Sequence, residues 1–210
     1  MKIEVKKLSK EFKNNVVLDN VQITLESGNI YGFVGRNGSG KSVLLKVLCG
    51  FYKPTSGNVF FDNIDIFQND SFPPDTRALI EKPGFIADLT GYENLEMLAS
   101  VQGKIGSKEI EKALDDVNLT SEKDKKFGKY SLGMKQKLGI AQVLMEDPKV
   151  IILDEPFNGV EEDTVKKLRN LLKKEKEKNK LIIIASHIKE DIESLVDIVY
   201  TFDNGKVEKK

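Results

Sequence analysis

Hydrophobic and polar residues alternate through the first part of the chain in the manner of half-buried strands. The apolar positions are Ile3, Val5, 16–18, Val21, Ile23 and Leu25, and the sequence breaks at Asn14-Asn15 and at 27–29. This period of two predicts strands of an antiparallel sheet with one buried face. A further strand is expected at 59–61, between turn residues at 54–57 and Asp62-Asn63.

Two later runs, 150–153 and 181–185, contain apolar residues without alternation. Such runs are typical of strands that are buried on both faces, as in a parallel sheet covered by helices. An amphipathic helix is predicted between them, from about 161 to 178, and a hairpin at 198–208 around Asp203-Asn204-Gly205. The pattern therefore predicts an α/β core.

Residues from about 88 to 126 change to a helical, charged pattern. Their apolar positions are spaced for one buried helix face: Leu95, Leu98, Ile110, Leu114 and Val117. We therefore expect a small helical subdomain at about 86–130, inserted in the core. No internal repeat, linker or second domain is indicated.

A phosphate-binding loop, residues 35–42 and hereafter the phosphate loop, follows a predicted strand at 30–34 and precedes a helix at 42–48. Its sequence, Gly-Arg-Asn-Gly-Ser-Gly-Lys-Ser, matches G-x-x-x-x-G-K-[ST] without a mismatch. Glycines let successive backbone N–H groups point into one concavity, where they and the helix N-terminus can hold phosphate. The expected nucleotide contacts are Asn37, Gly38, Ser39, Gly40, Lys41 and Ser42. Lys41 is expected to reach the β- and γ-phosphates, and the Ser42 hydroxyl to bind Mg²⁺.

Two carboxylates, Asp154 and Glu155, follow the apolar run at 150–153. This acidic pair would lie at the carboxyl edge of the sheet, where open α/β folds place their ligands. Asp154 is expected to bind Mg²⁺, and Glu155 to orient and deprotonate the water that attacks the γ-phosphate. An acidic pair alone is more often a surface feature, but beside a complete phosphate loop it predicts hydrolysis.

The segment Tyr130-Ser131-Leu132-Gly133-Met134-Lys135-Gln136, hereafter the signature segment, resembles the signature motif of the ATP-binding cassette (ABC) transporter family. The usual motif is L-S-G-G-Q, and Ser131 and Gly133 match it. The variant S-L-G-M-K-Q is similar to the subgroup associated with export of bacitracin, lantibiotics and related peptides. The resemblance covers essentially the whole chain. It implies that 1–210 is a single nucleotide-binding domain: a P-loop NTPase core with a mainly parallel sheet, an N-terminal antiparallel β subdomain and the helical subdomain.

The resemblance also assigns roles to other residues. Phe12 stands where the family stacks an aromatic ring on adenine, although a core phenylalanine is the alternative. Glu81 stands where a glutamine usually binds Mg²⁺, and a solvated surface carboxylate is the alternative. His187, the single histidine of the sequence, matches the switch histidine that contacts the γ-phosphate. Residues 158–161, hereafter the partner loop, correspond to the loop that meets a second subunit, with Glu161 in place of the usual aspartate.

The partners follow from the same resemblance. Two nucleotide-binding subunits, as a homodimer or a heterodimer, are expected to pair head to tail, with Ser131 and Gly133 contacting the ATP of the other subunit. A transmembrane permease subunit is expected to dock near 81–93 and the helical subdomain. The chain would then lie at the cytoplasmic face of the cell membrane as a peripheral subunit, powering export of a peptide or a related compound.

Composition excludes several other classes of function. The sequence has 33 Lys and Arg against 33 Asp and Glu, so no net charge gathers nucleic acid, and none is expected as a partner. Cys49 is the single cysteine, which excludes an internal disulfide. No stretch approaches the roughly 18 to 20 apolar residues of a membrane span, and the N-terminus lacks the apolar core of a signal peptide. No regulatory domain is expected after the final hairpin.

Three other classes of protein share some of these motifs. A soluble cassette ATPase acting on DNA or ribosomes usually carries a coiled-coil insertion or a second cassette, and neither fits within 210 residues. A small-molecule kinase would explain neither the signature segment nor His187. A binding module without catalysis is disfavoured because Lys41, the acidic pair and His187 are all present. An ATP-hydrolysing transporter subunit is therefore the preferred hypothesis.

Overall fold

The computed structural model describes residues 1–13, 15–68 and 72–210, apart from the side chain of Lys189. Its strands are β1 (Lys2–Phe12), β2 (Asn15–Glu26), β3 (Ile30–Gly35), β4 (Ser56–Phe61), β5 (Ile64–Asp65), β6 (Thr76–Leu79), β7 (Val150–Asp154), β8 (Leu181–Ala185), β9 (Ile198–Asp203) and β10 (Lys206–Lys209). Its α-helices are α1 (Lys41–Leu48), α2 (Gly91–Gln102), α3 (Ser107–Asp116), α4 (Leu132–Leu144), α5 (Glu162–Glu177) and α6 (Lys189–Leu195).

The strands form two sheets. The first has the order β2-β1-β4-β5 and is antiparallel. The second has the order β10-β9-β3-β8-β7-β6, in which β10 alone runs antiparallel to its neighbour. The predicted α/β class, with an N-terminal antiparallel sheet and a mainly parallel core sheet, is confirmed.

The pairing of the first two strands is irregular. Strand β2 is continuous from Asn15 to Glu26 and ends before the predicted break at 27–29. Its partner β1 shifts register between Val5 and Leu8, between Leu8 and Lys10, and between Lys10 and Glu11. Each irregularity breaks the period of two without ending the strand. Of the predicted turn at Asn14-Asn15, Asn14 lies outside the described residues and Asn15 begins β2.

The parallel strands separate two apolar clusters. Ile151 and Leu153 of β7 point toward α2 to α5, whereas Val150 and Ile152 point toward α1 and the antiparallel sheet. The same division holds for β8. Both faces of these strands are therefore dry, which is why their sequences lack alternation.

The helical segment shares its core with α4. Its buried residues Leu95, Ile110 and Leu114 belong to the same cluster as Leu138 of α4 and Leu153 of β7. Helix α2 begins with a capping box, in which Thr90 and Glu93 satisfy each other's backbone N–H groups. Movement of α2 or α3 must therefore involve α4.

The described part of the chain contains no helix that combines the length and the apolar character needed to cross a membrane.

We expect Ile183→Ala to lower the free energy of unfolding by about 2–5 kcal/mol, because it leaves a cavity in a fully buried central strand. Urea unfolding measures this change. Val101→Ala is the control, since Val101 is 78% exposed and should change stability by less than about 0.5 kcal/mol. Equal effects of the two substitutions would contradict the described core.

Candidate functional site

The turn from β3 into α1 depends on glycine. Gly40 caps α1 with φ 106°, and Gly38 has φ 80°, both in the left-handed region. A Cβ at Gly40 would also lie 2.9 Å from the Val17 carbonyl oxygen and from Leu18 Cδ2. Both the backbone angle and the available space therefore require glycine at position 40.

The N-terminus of α1 is open to an anion. No side chain caps it, and its first turn contains no acidic residue. By contrast, α2 has its capping box and α5 begins with Glu162 and Asp163. The first N–H groups of a helix lack intrahelical partners and carry the positive end of the helix dipole. Helix α1 therefore presents donors suited to phosphate.

Lys41 lies folded over the phosphate loop. Its Nζ donates to the carbonyl oxygens of Gly35 at 2.7 Å and Arg36 at 3.1 Å, and the side chain is buried. The hydroxyl of Ser39 is also buried, with no hydrogen-bond partner among the described residues. The loop thus holds a cation and an unsatisfied hydroxyl where phosphate oxygens could pair with both.

Ser42 and Asp154 meet although the phosphate loop and β7 are far apart in sequence. Ser42 Oγ donates to Asp154 Oδ2 at 2.6 Å. Burial raises the pKa of Asp154, and the charge of Glu155 raises it further, whereas the Ser42 hydrogen bond and the Lys41 charge offset part of this. The charged form of the Asp154 carboxylate is therefore disfavoured in this state, and a bound cation would stabilise it.

Glu155 is paired with His187. Its Oε1 lies 2.7 Å from His187 Nδ1, and its Oε2 is buried without a partner among the described residues. Glu155 has φ 47°, which is rare for a side chain of this size. Its N–H donates to the Ala185 carbonyl at 2.8 Å, and its own carbonyl accepts from Gln136 Nε2 at 3.1 Å. These two bonds hold the strained backbone in place.

Gln136 is a site residue whose role the sequence analysis missed. It is buried on α4, and its amide reaches the backbone of Glu155 rather than a side chain. Its place in the signature segment was the available signal. Gln136 binds a backbone carbonyl 19 residues away, and every residue has such a carbonyl. The contact therefore could not be predicted from residue types or their spacing.

The chemistry-bearing residues converge at one sheet edge. Strand β8 lies between β3 and β7, all three run parallel, and Ala185 is opposite both Phe33 and Asp154. A cleft of about 370 Å³ opens there, lined by Val17, Asn37, Gly38, Gly40, Lys41, Ser42, Val43, Asp154 and Glu155. Among the described residues, neither Phe12 nor Ser131 nor Gly133 lines it.

The signature segment packs against the partner loop. Ser131 caps α4, and its Oγ accepts from the backbone N–H of Met134 at 3.2 Å. A Cβ at Gly133 would lie 2.2 Å from the carbonyl oxygen of Gly159, so the two backbones touch. In the same loop, Glu161 pairs with Lys137 at 3.4 Å. Ser131 itself is exposed beside this contact.

Phe12 lies outside the core, which removes the alternative of a core phenylalanine. It is 38% exposed, and its ring meets Tyr52 edge-on at a centroid distance of 5.3 Å. Lys10 Nζ lies 4.8 Å from the Phe12 ring centroid. The ring is thus held in place while part of its surface remains open, as stacking on a base requires.

Glu81 is exposed and forms an ion pair with Lys46 of α1. The hydrogen bond that Lys46 Nζ donates to Glu81 Oε1 raises the pKa of Lys46. The charge of Glu81 also contributes to the raised pKa of Asp154, so the two carboxylates lie within electrostatic range. Glu81 is therefore a paired surface carboxylate in this state, close to the acidic pair.

The oxygen atoms at the sheet edge fit magnesium. The described residues contain no cluster of three or more His, Cys, Asp or Glu side chains able to hold a metal alone. Mg²⁺ characteristically takes one or two protein oxygens and completes its shell with phosphates and water. The Ser42 hydroxyl, the Asp154 carboxylate and the neighbouring phosphate loop supply this arrangement.

Comparison with known proteins decides the family. A model of the ABC transporter family matches residues 18–158. The chain belongs to the ABC transporter family. It is an ABC ATPase and an ATP-binding subunit, as the sequence predicted.

Three similar proteins illustrate the relationship. The bacitracin transport ATP-binding protein BcrA of Enterococcus faecalis is 38% identical over 205 residues, covering 97% of this chain and 67% of the relative. The lantibiotic transport ATP-binding protein SrtF of Streptococcus pyogenes is 32% identical over 205 residues, covering 98% and 88%. A solved ATP-binding subunit of an ABC transporter is 26% identical, with a TM-score of 0.90, covering 100% and 90%. The predicted resemblance to bacitracin and lantibiotic transport subunits is confirmed.

We expect Asp154→Asn to stabilise the ABC ATPase in magnesium-free buffer at neutral pH. The pKa of Asp154 is higher in the folded protein than in the unfolded chain. Above that pKa, the charged carboxylate therefore lowers the free energy of unfolding. The penalty disappears as pH falls below the ordinary aspartate range, where the group is protonated in both states, so the advantage of the variant should shrink there. Urea unfolding across pH measures it. Asp163→Asn, at a 99% exposed side chain, is the control, and an Asp154→Asn protein less stable than the parent at neutral pH would contradict the argument.

Proposed function

We propose that this ABC ATPase uses ATP binding and hydrolysis to drive a membrane transporter, with residues 1–210 acting as one nucleotide-binding domain. The observation that carries the proposal is the convergence at one sheet edge of the Ser42–Asp154 and Glu155–His187 hydrogen bonds beside the phosphate loop. Each bond joins a strand end to another strand end or to the start of α1. The geometry is that of a site for phosphoryl transfer to water.

The residues divide the chemistry among them. The phosphate loop and the N-terminus of α1 bind the phosphates, and Lys41 moves its ammonium from the loop carbonyls onto them. Glu155 is the general base: it lines the cleft, and its buried Oε2 has no hydrogen-bond partner among the described residues, so it can accept a proton once the attacking water is bound beside it. His187 holds Oε1 and orients the carboxylate through its Nδ1. Ser42 and Asp154, with Glu81 nearby, would hold magnesium, which would neutralise charge on the phosphates when bound.

The second nucleotide-facing surface belongs to another subunit. Ser131 is exposed and does not line the cleft formed by the described residues. Ser131 is nevertheless the N-cap of α4, and the N-terminus of a helix favours phosphate. We infer that Ser131 and Gly133 contact ATP across a head-to-tail dimer, with the partner loop at the same interface. Phe12 then stacks on the adenine.

The docking site for a permease is a groove between β6 and α2. Its volume is about 310 Å³, and its apolar lining includes Phe51, Ile80, Pro83, Phe85, Met97 and Leu98. Phe51 is 62% exposed and Met97 is 40% exposed, so the groove presents apolar surface to solvent. An apolar helix face from a transmembrane subunit fits such a groove, and it would hold the chain at the cytoplasmic face of the membrane.

The relatives suggest the cargo. Their names describe transport of bacitracin and of a lantibiotic, which are peptide antibiotics. We propose that the transporter served by this chain exports a compound of that class. In this proposal the chain supplies the energy for transport through ATP hydrolysis. The permease recognises the transported compound.

We expect Glu155→Gln to bind ATP with near-parental affinity but to lose at least about 100-fold in kcat, because no general base remains. Because ATP stays bound without being hydrolysed, the variant should also accumulate as a dimer. Phosphate release and gel filtration with ATP measure the two effects. Glu162→Gln, at an exposed side chain in the first turn of α5, is the control. ATP hydrolysis by Glu155→Gln at the parental rate would falsify the catalytic assignment.

We expect Met97→Glu to abolish co-purification of the permease from solubilised native membranes while leaving ATP binding unchanged. The substitution places a charge in the apolar groove, where its desolvation is unfavourable. Val101→Glu is the matched control, on the same helix but outside the groove lining. Mass spectrometry of the captured membrane protein measures the outcome. Capture by Met97→Glu at the level of the control would exclude the groove as the docking site.

A further inference from the structure

A partly buried ionic network lies beside the segments that carry Glu155 and His187. Arg169 of α5 donates through Nη2 to Asp191 Oδ1 at 2.6 Å and through Nη1 to Glu190 Oε1 at 3.2 Å. Its guanidinium carbon also lies 5.7 Å from the centroid of the Phe157 ring. Phe157 follows Glu155 by two residues. One side of the network therefore contacts the segment that carries the general base.

The other side of the network contacts the segment that carries His187. Asp191 Oδ2 accepts from Ser186 Oγ at 3.1 Å, and the same hydroxyl oxygen accepts from the backbone N–H of Ile188 at 3.0 Å. Ser186 and Ile188 flank His187. Ser186 is 0% exposed and Asp191 is 3% exposed, so the bonds between them are shielded from water. One serine hydroxyl thus fixes the backbone on both sides of the histidine.

His187 needs such support because its own side chain is not packed. The imidazole is 52% exposed, so neighbouring side chains do not determine where it points. Its position depends on the backbone and on the hydrogen bond to Glu155 Oε1. A ring held at one nitrogen by a carboxylate keeps its orientation only while the carboxylate and the ring backbone keep their separation.

Stability alone does not account for the network. Removing an arginine and a carboxylate from water carries a desolvation cost that their attraction often only balances. Arg169 Nε is also buried without a hydrogen-bond partner among the described residues, which adds to that cost. What the network does provide is a fixed distance between Phe157 and Ser186, and hence between the two loops.

We propose that Arg169 and Asp191 are positioning residues that hold Glu155 and His187 in register for ATP hydrolysis. Neither residue touches the nucleotide cleft. Asp191 acts through Ser186 on the backbone of His187, and Arg169 links this carboxylate to the ring of Phe157. The inference rests on the proposed catalytic roles of Glu155 and His187.

The single histidine of the sequence makes the proposal directly testable. Nitrogen-15 NMR of nucleotide-free protein gives one imidazole spectrum, whose Nδ1 shift reports the bond to Glu155. In Arg169→Lys and Asp191→Asn we expect this shift to move toward the value found in Glu155→Gln, where the carboxylate is lost. We expect kcat to fall about 10- to 100-fold, as small misplacements of catalytic groups cause, with KM for ATP unchanged.

Arg77→Lys is the matched control. Arg77 forms a similarly buried pair with Glu146, at the far edge strand β6. A general loss of stability should appear in both arginine variants, whereas the change in the histidine shift and in kcat should appear only at Arg169. Circular dichroism confirms folding, and Ser186→Ala, which removes one hydroxyl, replaces any variant that fails to fold.

The outcomes separate this inference from the proposed function. A parental histidine shift and kcat in Arg169→Lys, Asp191→Asn and Ser186→Ala would overturn the positioning role, as would equal changes in Arg77→Lys. A parent protein that does not hydrolyse ATP would instead overturn the proposed function. The NMR comparison uses no nucleotide, so it still decides whether the network controls the Glu155–His187 bond.

Discussion

Parallel pairing of β3, β8 and β7 is the constraint on which the site depends. In this pairing Ala185 of β8 lies opposite both Phe33 of β3 and Asp154 of β7. The three strands run in the same direction; β7 and β8 end at the paired residues Asp154 and Ala185, and β3 ends two residues further on, at Gly35, so the residues that follow them emerge at the same edge. A shift of one residue in β7 would turn Asp154 to the opposite face of the sheet. The register is secured by burial, since every side chain of β7 and β8 is shielded from water.

The electrostatics of the site show why a cation and an anion belong there together. Asp154 and Glu155 bring two carboxylates to one edge, with Glu81 close enough to raise the pKa of Asp154. Lys41 lines the same cleft and, within the described residues, donates to backbone carbonyls alone. The cleft thus holds more charged and hydrogen-bonding groups than can pair with one another, including the Ser39 hydroxyl and Glu155 Oε2. A magnesium-bound triphosphate carries both complementary charges, so its binding stabilises both sides of the cleft.

The sequence predicted the parts of the molecule that are encoded locally. The phosphate loop, the buried strands and the acidic pair each consist of neighbouring residues with one shared role, so pattern and spacing were sufficient. Contacts between distant residues were not predictable in the same way. Gln136 acts on a backbone carbonyl, and Arg169 meets Asp191 only because α5 and α6 pack on the same sheet. The roles of Phe12, Glu81 and Ser131 remain predictions, because they concern a nucleotide and a second subunit.

The contact between Gly133 and Gly159 has a mechanical consequence. Glycines have no side chain that could change rotamer to absorb a displacement. The two backbones at this contact therefore move together. Any displacement of residues 158–161 pushes directly on the first turn of α4. That helix shares its core with α2, which forms one wall of the apolar groove. A displacement of the loop that follows the acidic pair can therefore reach the apolar groove through α4 and α2, with little side-chain rearrangement.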